Sequence, residues 1–453
     1  MTEALDEATE LFERERAEEY LEASEKGEDS EHIFVMQEAI DRGELDAEQL
    51  FLRGDSTFEH EFRLENGYGD NGVETRMSRV HFGARGGRDT FSCAGCHSQG
   101  GVNGSGSAAT TSFYAGDGER LGSAVLRNPP NVLGLGYVQL LGVEMSAQLD
   151  RARRTALADA NARGEDVTVE LVTNGVRFGK LVARADGTVD TSGVEGVDAD
   201  LVVKPFGWKG HTARLRRFAE RALRTHFGIQ AHTLALAHKS DPEPVLLGRG
   251  HKWFDPDGDG VVRELEEGTL TALAVYLALL EVPVIVAPSD PDLLARWGAG
   301  SELFGRIGCS DCHRRTLAVS SQRWTERGDF TDHAGVELNL LADGEAPRAP
   351  SGVIPLFSDL KRHRMGERLA DKNDDPDGIG RDVFLTRPLW GVAESPPYLH
   401  DGRAATLREA ILEHGGEAEN ARATFEGLAP AEQASVVVFL SSLSRTPKPR
   451  LER

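Results

Sequence analysis

The chain has 453 residues, of which 74 are acidic and 51 are basic, and its formal net charge is −23. This charge argues against a nucleic-acid partner and permits a basic protein partner, although acidity also serves solubility. The length suffices for two domains, and no apolar run is long enough to cross a bilayer.

Residues 1–54 are predicted to form an acidic helical extension. Charged side chains dominate this segment, and its apolar side chains Leu11, Phe12, Tyr20 and Leu21 give only a modest helical periodicity. We therefore expect the extension to lie outside the core, where it could support a homodimer.

The next segment, residues 55–288, carries the first of two copies of one short motif. Cys93-Ala94-Gly95-Cys96-His97 has the spacing C-x-x-C-H, and Cys309-Ser310-Asp311-Cys312-His313 repeats it far along the chain. The two motifs contain all four cysteines of the sequence. C-x-x-C-H is the attachment signature of a c-type haem, in which the thiols bind the haem vinyl groups and the histidine binds iron.

Two other kinds of site use the same residue types: a split Cys2His2 zinc site, and a pair of redox-active C-x-x-C motifs. Zinc-binding pairs usually lie close together in sequence, and a redox motif does not require histidine as its next residue. The repeated spacing therefore predicts two covalently bound haems. Their ligands and attachment sites are Cys93, Cys96 and His97 at the first, and Cys309, Cys312 and His313 at the second.

Residues 150–205 are predicted to form an insertion with a small β element. A helical stretch precedes a strand-like run, Val167–Val172, and polar turns follow at Asn174-Gly175 and Asp186-Gly187.

The segment Asp255–Glu266 has the pattern of an EF-hand loop. Carboxylates stand at positions 1, 3, 5 and 12, a glycine at position 6 and an apolar residue at position 8. Arg263 at position 9 departs from the pattern, and an acidic turn that binds nothing is the alternative. An apolar helix, Thr269–Leu280, should follow. We predict a structural Ca²⁺ with these ligands: Asp255, Asp257, Asp259, the carbonyl of Val261 and Glu266.

A proline-rich stretch at residues 282–291 separates the first part from residues 289–445, which we predict to form a second haem domain before a frayed tail at 446–453. Within it, Thr406 and Glu409 form a capping box that should start a helix, and Gly415-Gly416 should end it.

His414 falls on the helix face that otherwise points to the core. With two haems to serve, we predict that it is an axial iron ligand, and an ordinary buried histidine is the alternative. A last helix is predicted from Pro430 to Leu443. The predicted fold is mainly α, with two cytochrome c-like haem domains, a small β-containing insertion and an N-terminal helical extension.

The C-terminal motifs resemble the bacterial di-haem cytochrome c peroxidase and MauG superfamily. The signature is Pro397–Arg403, PYLHDGR, with the helix start that follows it. Thr386–Gly391, TRPLWG, and His414–Ala418, HGGEA, are similar to one branch, the di-haem oxidoreductases. Phe357–Gly366 and Phe206–Lys209 also resemble that branch. The resemblance covers roughly residues 55–443.

The resemblance implies that the C-terminal haem is six-coordinate and stores electrons, with a second ligand from the segment aligned with residues 411–415. Here that segment offers His414, which implies a bis-histidine haem held by His313 and His414. Such a haem should have a lower potential than one with a His/Met pair. Met365 is the reserve candidate for this ligand, although ordinary packing is its commoner role.

The resemblance also implies that peroxide is bound and cleaved at the N-terminal haem. Classical peroxidases carry a removable distal histidine soon after the first motif, whereas this sequence has none between His97 and His211. We therefore expect an iron that needs no ligand release and is five-coordinate or water-ligated. A cap on this iron by Tyr114 or by a residue from a distant segment is the alternative.

Three further residues receive predicted roles at or between the haems. Glu144 stands in a segment that resembles the one carrying the family's distal glutamate, and we predict that it is the acid–base group with Gln139 as its helper. A solvated carboxylate is the alternative for Glu144. Trp208 is the predicted electron relay between the haems, and a packed aromatic is the alternative.

The predicted function is that of a di-haem peroxidase. It takes electrons from a small cytochrome c or a cupredoxin at the C-terminal haem and reduces hydrogen peroxide at the N-terminal haem. Two alternatives stay open: a MauG-like or oxygenase-like enzyme that oxidises a protein or organic substrate, and a non-catalytic electron carrier. Since c-type haem is normally attached outside the cytoplasm, and residues 1–31 lack an apolar signal segment, we expect a periplasmic protein whose signal peptide has been removed.

Overall fold

The fold is mainly helical, with small sheets between the helices. The computed structural model describes residues 33–63, 80–81, 84–85, 90–114, 121–227, 229, 231, 264–326, 335–340, 352–373, 375 and 377–445. The helices of these residues are α1 Gln37–Asp41, α2 Ala47–Glu59, α3 Cys93–Cys96, α4 Leu135–Arg163, α5 Leu215–Ala222, α6 Glu267–Leu279, α7 Pro291–Arg306, α8 Leu407–Glu413, α9 Glu419–Glu426 and α10 Pro430–Leu440. A π-helical turn, Leu223–Phe227, continues α5. Short 3-10 turns lie at Ala108–Thr110, Leu121–Ser123, Cys309–Asp311, Val392–Glu394 and Gly416–Ala418.

The strands are short and pair antiparallel. They are β1 Val80–His81, β2 Ala84–Arg85, β3 Ser112–Tyr114, β4 Val125–Arg127, β5 Val167–Thr173, β6 Val176–Ala183, β7 Val189–Asp190, β8 Val284–Ile285, β9 Leu317–Ala318, β10 Arg323–Glu326, β11 Val336–Asn339, β12 Val353–Ile354, β13 Arg362–Arg364, β14 Val383–Leu385 and β15 Leu443–Ser444. Strands β5, β6 and β7 form one sheet, and the two-stranded pairs are β1–β2, β3–β4, β8–β15, β9–β12, β10–β11 and β13–β14.

Apolar side chains between Ile33 and Phe58 belong to the main core, which corrects for residues 33–54 the prediction that the extension lies outside it. Residues 1–32 of the predicted extension lie outside the described residues. Leu50 and its apolar neighbours on α2 are buried in the same cluster as helix α6. Gly54 lets α2 approach α6 so closely that a Cβ atom there would lie 2.2 Å from the carbonyl oxygen of Ala272. The sequence concealed this role because the charged residues of the segment outnumber the apolar stripe that packs inward.

Helix α6 forms the centre of this core. Every residue from Glu267 to Leu279 is buried, so the helix is enclosed on all sides rather than amphipathic. Its one carboxylate, on Glu267, accepts a hydrogen bond of 2.5 Å from the buried guanidinium of Arg216. The predicted helix, Thr269–Leu280, is confirmed with a start two residues earlier.

The small β element predicted within residues 150–205 is confirmed. Helix α4 leads into strands β5 and β6, which pair from Val167↔Ala183 to Thr173↔Val176. Asn174 and Gly175 connect them with φ angles of 50° and 72°, as a type I′ hairpin turn requires at both central positions.

A second apolar cluster surrounds the C-terminal motif and contains side chains from α7, α8 and α10. Helices α7 and α10 approach closely at Gly300, where a Cβ atom would meet the carbonyl oxygen of Ser435 at 1.8 Å. Pro430 occupies the first turn of α10, as predicted, since this position needs no N–H donor. The helix ends at Leu440, and Leu443 continues into strand β15.

Contacts of high sequence separation join the flank of the first motif to the C-terminal part. The Asn128 backbone N–H donates to the carbonyl of His400 at 2.7 Å. Arg445 Nε lies 2.6 Å from Glu281 Oε1. In the described part of the chain, no helix combines the length and apolarity that a membrane span needs.

Candidate haem centres

The first motif folds as a helical turn whose start is capped by a side chain. Ser92 Oγ accepts the Gly95 N–H at 3.0 Å, and the His97 N–H donates to the Cys93 carbonyl at 3.0 Å. His97 Nδ1 lies 3.3 Å from the Gly104 carbonyl oxygen. Burial lowers the pKa of His97 to about 4, so the ring is neutral at pH 7 and offers the lone pair of Nε2.

The second motif repeats this arrangement on a 3-10 turn. Gly308 enters the turn with a φ of 94°, and the His313 N–H donates to the Cys309 carbonyl at 2.9 Å. His313 Nδ1 lies 3.0 Å from the Phe357 carbonyl oxygen. Burial, with a smaller effect of His414, lowers the pKa of His313 to about 4. None of the four cysteines forms a disulfide.

The ring of His414 faces the ring of His313. Helix α8 starts at the predicted capping box of Thr406 and Glu409 and ends with His414 as its C-cap. The centres of the two imidazole rings are 6.5 Å apart, and His414 Nδ1 lies 2.8 Å from the Ala410 carbonyl oxygen. A metal–imidazole bond is about 2 Å long, so two rings on opposite sides of one iron have centres roughly 6 Å apart. The observed spacing fits one iron held by both rings.

A cavity of about 310 Å³ extends from this pair of rings, and most of its wall is apolar. It reaches residues 128–131, which follow strand β4 on the first-motif side. The lining residues that bear on the site are Asn128, Trp208, Cys309, Cys312, His313, Met365, Arg387, His400 and His414. An apolar cavity with two cysteines and two facing imidazoles in its wall fits a haem.

Trp208 lies in the wall of this cavity. Its Nε1–H donates to the Asn128 carbonyl at 2.8 Å, which fixes the indole ring. The ring lies edge-on to His400, with centres 6.4 Å apart. The residue predicted as the relay is therefore held by hydrogen bonding at the cavity, and its role in electron transfer stays a prediction.

A buried cluster of charges that the sequence did not reveal supports this wall. Arg127 donates two hydrogen bonds of 2.6 Å to the Asp371 carboxylate, and Lys209 Nζ lies 3.1 Å from it. Burial opposes the charge of Asp371, but the hydrogen bonds from Arg127 and the charge of Lys209 hold its pKa below the usual value. His400 is 3.6 Å from the same carboxylate, and burial lowers the pKa of His400 to about 4.

His363 is a second cavity residue whose role the sequence did not reveal. It lies between two carboxylates, with Nε2 2.9 Å from Asp359 and Nδ1 2.7 Å from Glu417. Burial opposes the imidazolium, but the hydrogen bond to Asp359 raises the pKa of His363 above its usual value. Glu417 lies 54 positions away in sequence, so only the folded chain reveals this pairing.

The predicted acid–base residues make structural contacts. Glu144 accepts backbone N–H groups of Ser320 at 2.9 Å and of Ser321 at 2.9 Å. Gln139 is buried, and its Oε1 accepts the Leu215 N–H at 2.7 Å. Neither residue lines the cavity described above. These contacts leave the acid–base role of Glu144 as a prediction.

The fold brings one histidine near the first motif that the sequence did not indicate. His226 lies on the π-helical turn, and its Nδ1 is 3.1 Å from Ser112 Oγ. Its charge contributes to the lowered pKa of His97. The sequence has no histidine between His97 and His211, but the fold brings His226 from a later element close to the first motif.

The predicted calcium loop falls mostly outside the described residues. The structure does not describe four of the predicted ligands: Asp255, Asp257, Asp259 and Val261. Glu266 is described, and it is the N-cap residue of α6. The calcium site stays a prediction.

Two cysteine pairs, each followed by a neutral imidazole, and a third imidazole facing the second define a haem-binding protein of the di-haem class. A family model described as "Di-haem oxidoreductase, putative peroxidase" matches residues 195–443, more than half of the chain. The chain belongs to this family of di-haem oxidoreductases.

The comparison with curated sequences finds no significant match. Among solved structures, hydrazine synthase of Kuenenia stuttgartiensis is similar, with 15% identity and a TM-score of 0.33 over 87% of this chain and 92% of that one. A MauG-like protein associated with microbial copper homeostasis is similar with 16% identity and a TM-score of 0.27, over 57% of this chain and 77% of that one.

Proposed function

We propose that this di-haem oxidoreductase carries two covalently attached c-type haems in two cytochrome c-like domains, residues 55–288 and 289–445. The thiols of each C-x-x-C-H motif would bind the vinyl groups. His97 would hold the first iron, and His313 together with His414 would hold the second. The hydrogen bond from each Nδ1 to a backbone carbonyl supports this assignment, because it directs the lone pair of Nε2 to the metal.

We further propose that the protein reduces hydrogen peroxide at the first centre with electrons stored at the second. Such a haem supplies the iron at which the O–O bond is cleaved, with two electrons and two protons that yield two molecules of water. The observation that carries this division of roles is the 6.5 Å separation of the His313 and His414 rings. If both rings bind the second iron, they would leave it no position for substrate, and we therefore assign peroxide to the first centre.

Residues of the protein would fix the position of one proton and relay electrons. The Gly104 carbonyl keeps the proton of His97 on Nδ1, and Trp208 would relay electrons along the cavity wall. A small cytochrome c or a cupredoxin outside the cytoplasm would donate them. We propose that the protein is exported, because covalent haem attachment normally takes place outside the cytoplasm.

The test is turnover of peroxide by the matured protein with a reduced small cytochrome c or cupredoxin, together with EPR of its ferric form. We expect sustained turnover, one high-spin signal and one low-spin signal of bis-imidazole type. Two low-spin signals without peroxide turnover would instead identify an electron carrier. Peroxide consumption only in the presence of a particular organic or protein substrate would identify the MauG-like alternative.

We propose Glu144 as the acid–base group, and one variant separates this role from its structural contacts. Glu144→Gln should reduce turnover by about 10²-fold or more if a proton passes through the carboxylate. The control is Glu170→Gln, which removes an exposed carboxylate that pairs with Arg177 at 2.5 Å. Unchanged turnover with a lowered unfolding temperature would show that Glu144 only holds the backbone at Ser320 and Ser321.

We propose that Asp255–Glu266 binds Ca²⁺ as a structural ion between the two parts of the chain. Isothermal titration of chelator-treated protein with Ca²⁺ should show one site, and Glu266→Gln should weaken it. A chelator that leaves the unfolding temperature unchanged, with no heat on Ca²⁺ addition, would contradict this proposal.

A further inference from the structure

Arg387 is a partly buried arginine for which the described part of the chain supplies no acidic partner. It lines the cavity together with His313 and His414. Its guanidinium carbon lies 5.8 Å from the centre of the Trp208 ring. Burial lowers the pKa of Arg387 to about 10, and no carboxylate counteracts this effect.

The two arginines that are fully buried in the described chain, Arg127 and Arg216, have carboxylate partners. Arg127 forms two hydrogen bonds of 2.6 Å to Asp371. Arg216 contacts Glu267 at 2.5 Å and Glu326 at 3.5 Å. A buried charge without a counter-ion is strongly unfavourable. The position of Arg387 in the cavity wall therefore calls for an anion that the described chain does not provide.

We propose that Arg387 is the counter-ion of a haem propionate, bound by paired hydrogen bonds between guanidinium and carboxylate. Haem carries its propionates at one edge, and the planar guanidinium matches a carboxylate with two donors. The second motif and Arg387 share one cavity. The inference rests on the proposed haems at the two motifs.

The electrostatic effect of Arg387 extends to the first motif. The charge of Arg387 acts on His97, whose pKa it helps to lower. A propionate of either haem would therefore satisfy the same chemistry. In both cases the carboxylate neutralises a cation next to the Trp208 ring, and an indole beside an uncompensated cation is harder to oxidise.

The test compares Arg387→Gln, Arg387→Lys and the control Arg323→Gln in the full matured protein. The control removes an exposed guanidinium that pairs with Glu337 at 2.5 Å. Potentiometric titration followed by EPR reports the two haems separately. Loss of a positive charge beside a propionate favours the ferric form, so Arg387→Gln should shift the reduction equilibrium of one haem about tenfold, or 59 mV. Arg387→Lys should shift it less, and the control should not shift it.

The haem that responds identifies the source of the propionate. A shift confined to the low-spin signal assigns the C-terminal haem, and a shift of the high-spin signal assigns the N-terminal haem. No shift in either haem, in a variant that retains both, overturns the inference. If Arg387→Gln does not mature, the propionate bending bands in the resonance Raman spectrum of Arg387→Lys decide, because an unchanged band also overturns it. Wild-type protein without haem would refute the proposed function instead.

Discussion

Three imidazole rings, those of His97, His313 and His414, share one arrangement at the residue scale. Each directs Nδ1 to a backbone carbonyl, of Gly104, Phe357 and Ala410 respectively. This arrangement fixes the tautomer that a metal binds. The motif spacing and the capping box allowed all three histidines to be selected from sequence. The carbonyl partner of His313 could not be predicted, because it is 44 positions away on a residue with a φ of 53°.

Replacement of His414 tests the proposal that two histidines bind the iron of the second centre. His414→Met should raise the potential of the C-terminal haem, because thioether ligation favours the ferrous form relative to imidazole. His414→Ala should convert the low-spin EPR signal to a high-spin one, since the ring is then absent. Spectroelectrochemistry and EPR of the purified variants measure both effects.

The matched control is Met365→Leu, which changes another residue of the same cavity wall. It should leave the low-spin signal unchanged. A bis-imidazole signal that survives in His414→Ala, or a Met365→Leu signal that changes, would contradict the ligand assignment.

Asp371 should make stability depend on pH. Its folded-state pKa is lowered by Arg127 and Lys209 against the effect of burial. A lowered pKa contributes stability that is present above the unfolded-state value, about 4, and is lost as the pH falls through the folded-state value. Urea unfolding between pH 7 and pH 3 should show this loss, and Asp371→Asn should show a flatter profile.

Asp371→Asn should also destabilise the protein at pH 7 by about 3–5 kcal/mol, because it leaves two buried cations without a counter-charge. The control is Asp200→Asn, whose carboxylate forms an exposed ion pair with Lys204 at 3.3 Å. It should cost less than about 1 kcal/mol. An equal loss of stability in the two variants would show that the buried ion pairs of Asp371 contribute no more than an exposed ion pair.

At the scale of elements, close helix contacts at glycines hold both apolar clusters together. Gly54 on α2 faces the backbone of α6, and Gly300 on α7 faces the backbone of α10. Gly298, two positions from Gly300, has open space in the direction of a Cβ atom. Glycines with opposite surroundings therefore occur within one helix, and sequence alone does not distinguish them.

Alanine substitution should separate these glycines. Gly54→Ala and Gly300→Ala should lower stability by about 1–3 kcal/mol, because the new methyl group overlaps a carbonyl oxygen of the facing helix. Gly298→Ala should raise stability by up to about 1 kcal/mol, since alanine favours the helix and meets no neighbour. Chemical unfolding measures all three, and a stable Gly54→Ala protein would contradict the close packing of α2 on α6.

The elements with strong local signals were predictable from sequence. The capping box of α8, the proline of α10 and the Asn174-Gly175 turn each depend on residues within a few positions. The core role of α1 and α2 was not predictable, because it depends on Gly54 meeting a helix more than 200 positions later in the chain. The charge cluster around Asp371 could not be predicted for the same reason, since its partner Arg127 is 244 positions away.

At the scale of the whole molecule, the net charge of −23 bears on the choice of electron donor. An acidic surface attracts a basic donor, and salt screens this attraction over about 10 Å at 0.1 M ionic strength. The value of kcat/KM for a basic small cytochrome c should therefore fall as salt rises, with kcat nearly constant. Stopped-flow mixing with a basic and an acidic donor measures the difference, and equal salt dependence for both would contradict a role for the acidic surface.

Strand β15 and Arg445 join the C-terminal end of the described chain to earlier segments. Leu443 and Ser444 pair with β8, and the Arg445 guanidinium contacts Glu281 and the Val102 carbonyl near the first motif. During synthesis these contacts cannot form until residue 445 has been added. Until then, the Val102 carbonyl next to the first motif has no contact with Arg445 at the C-terminal end of the described chain.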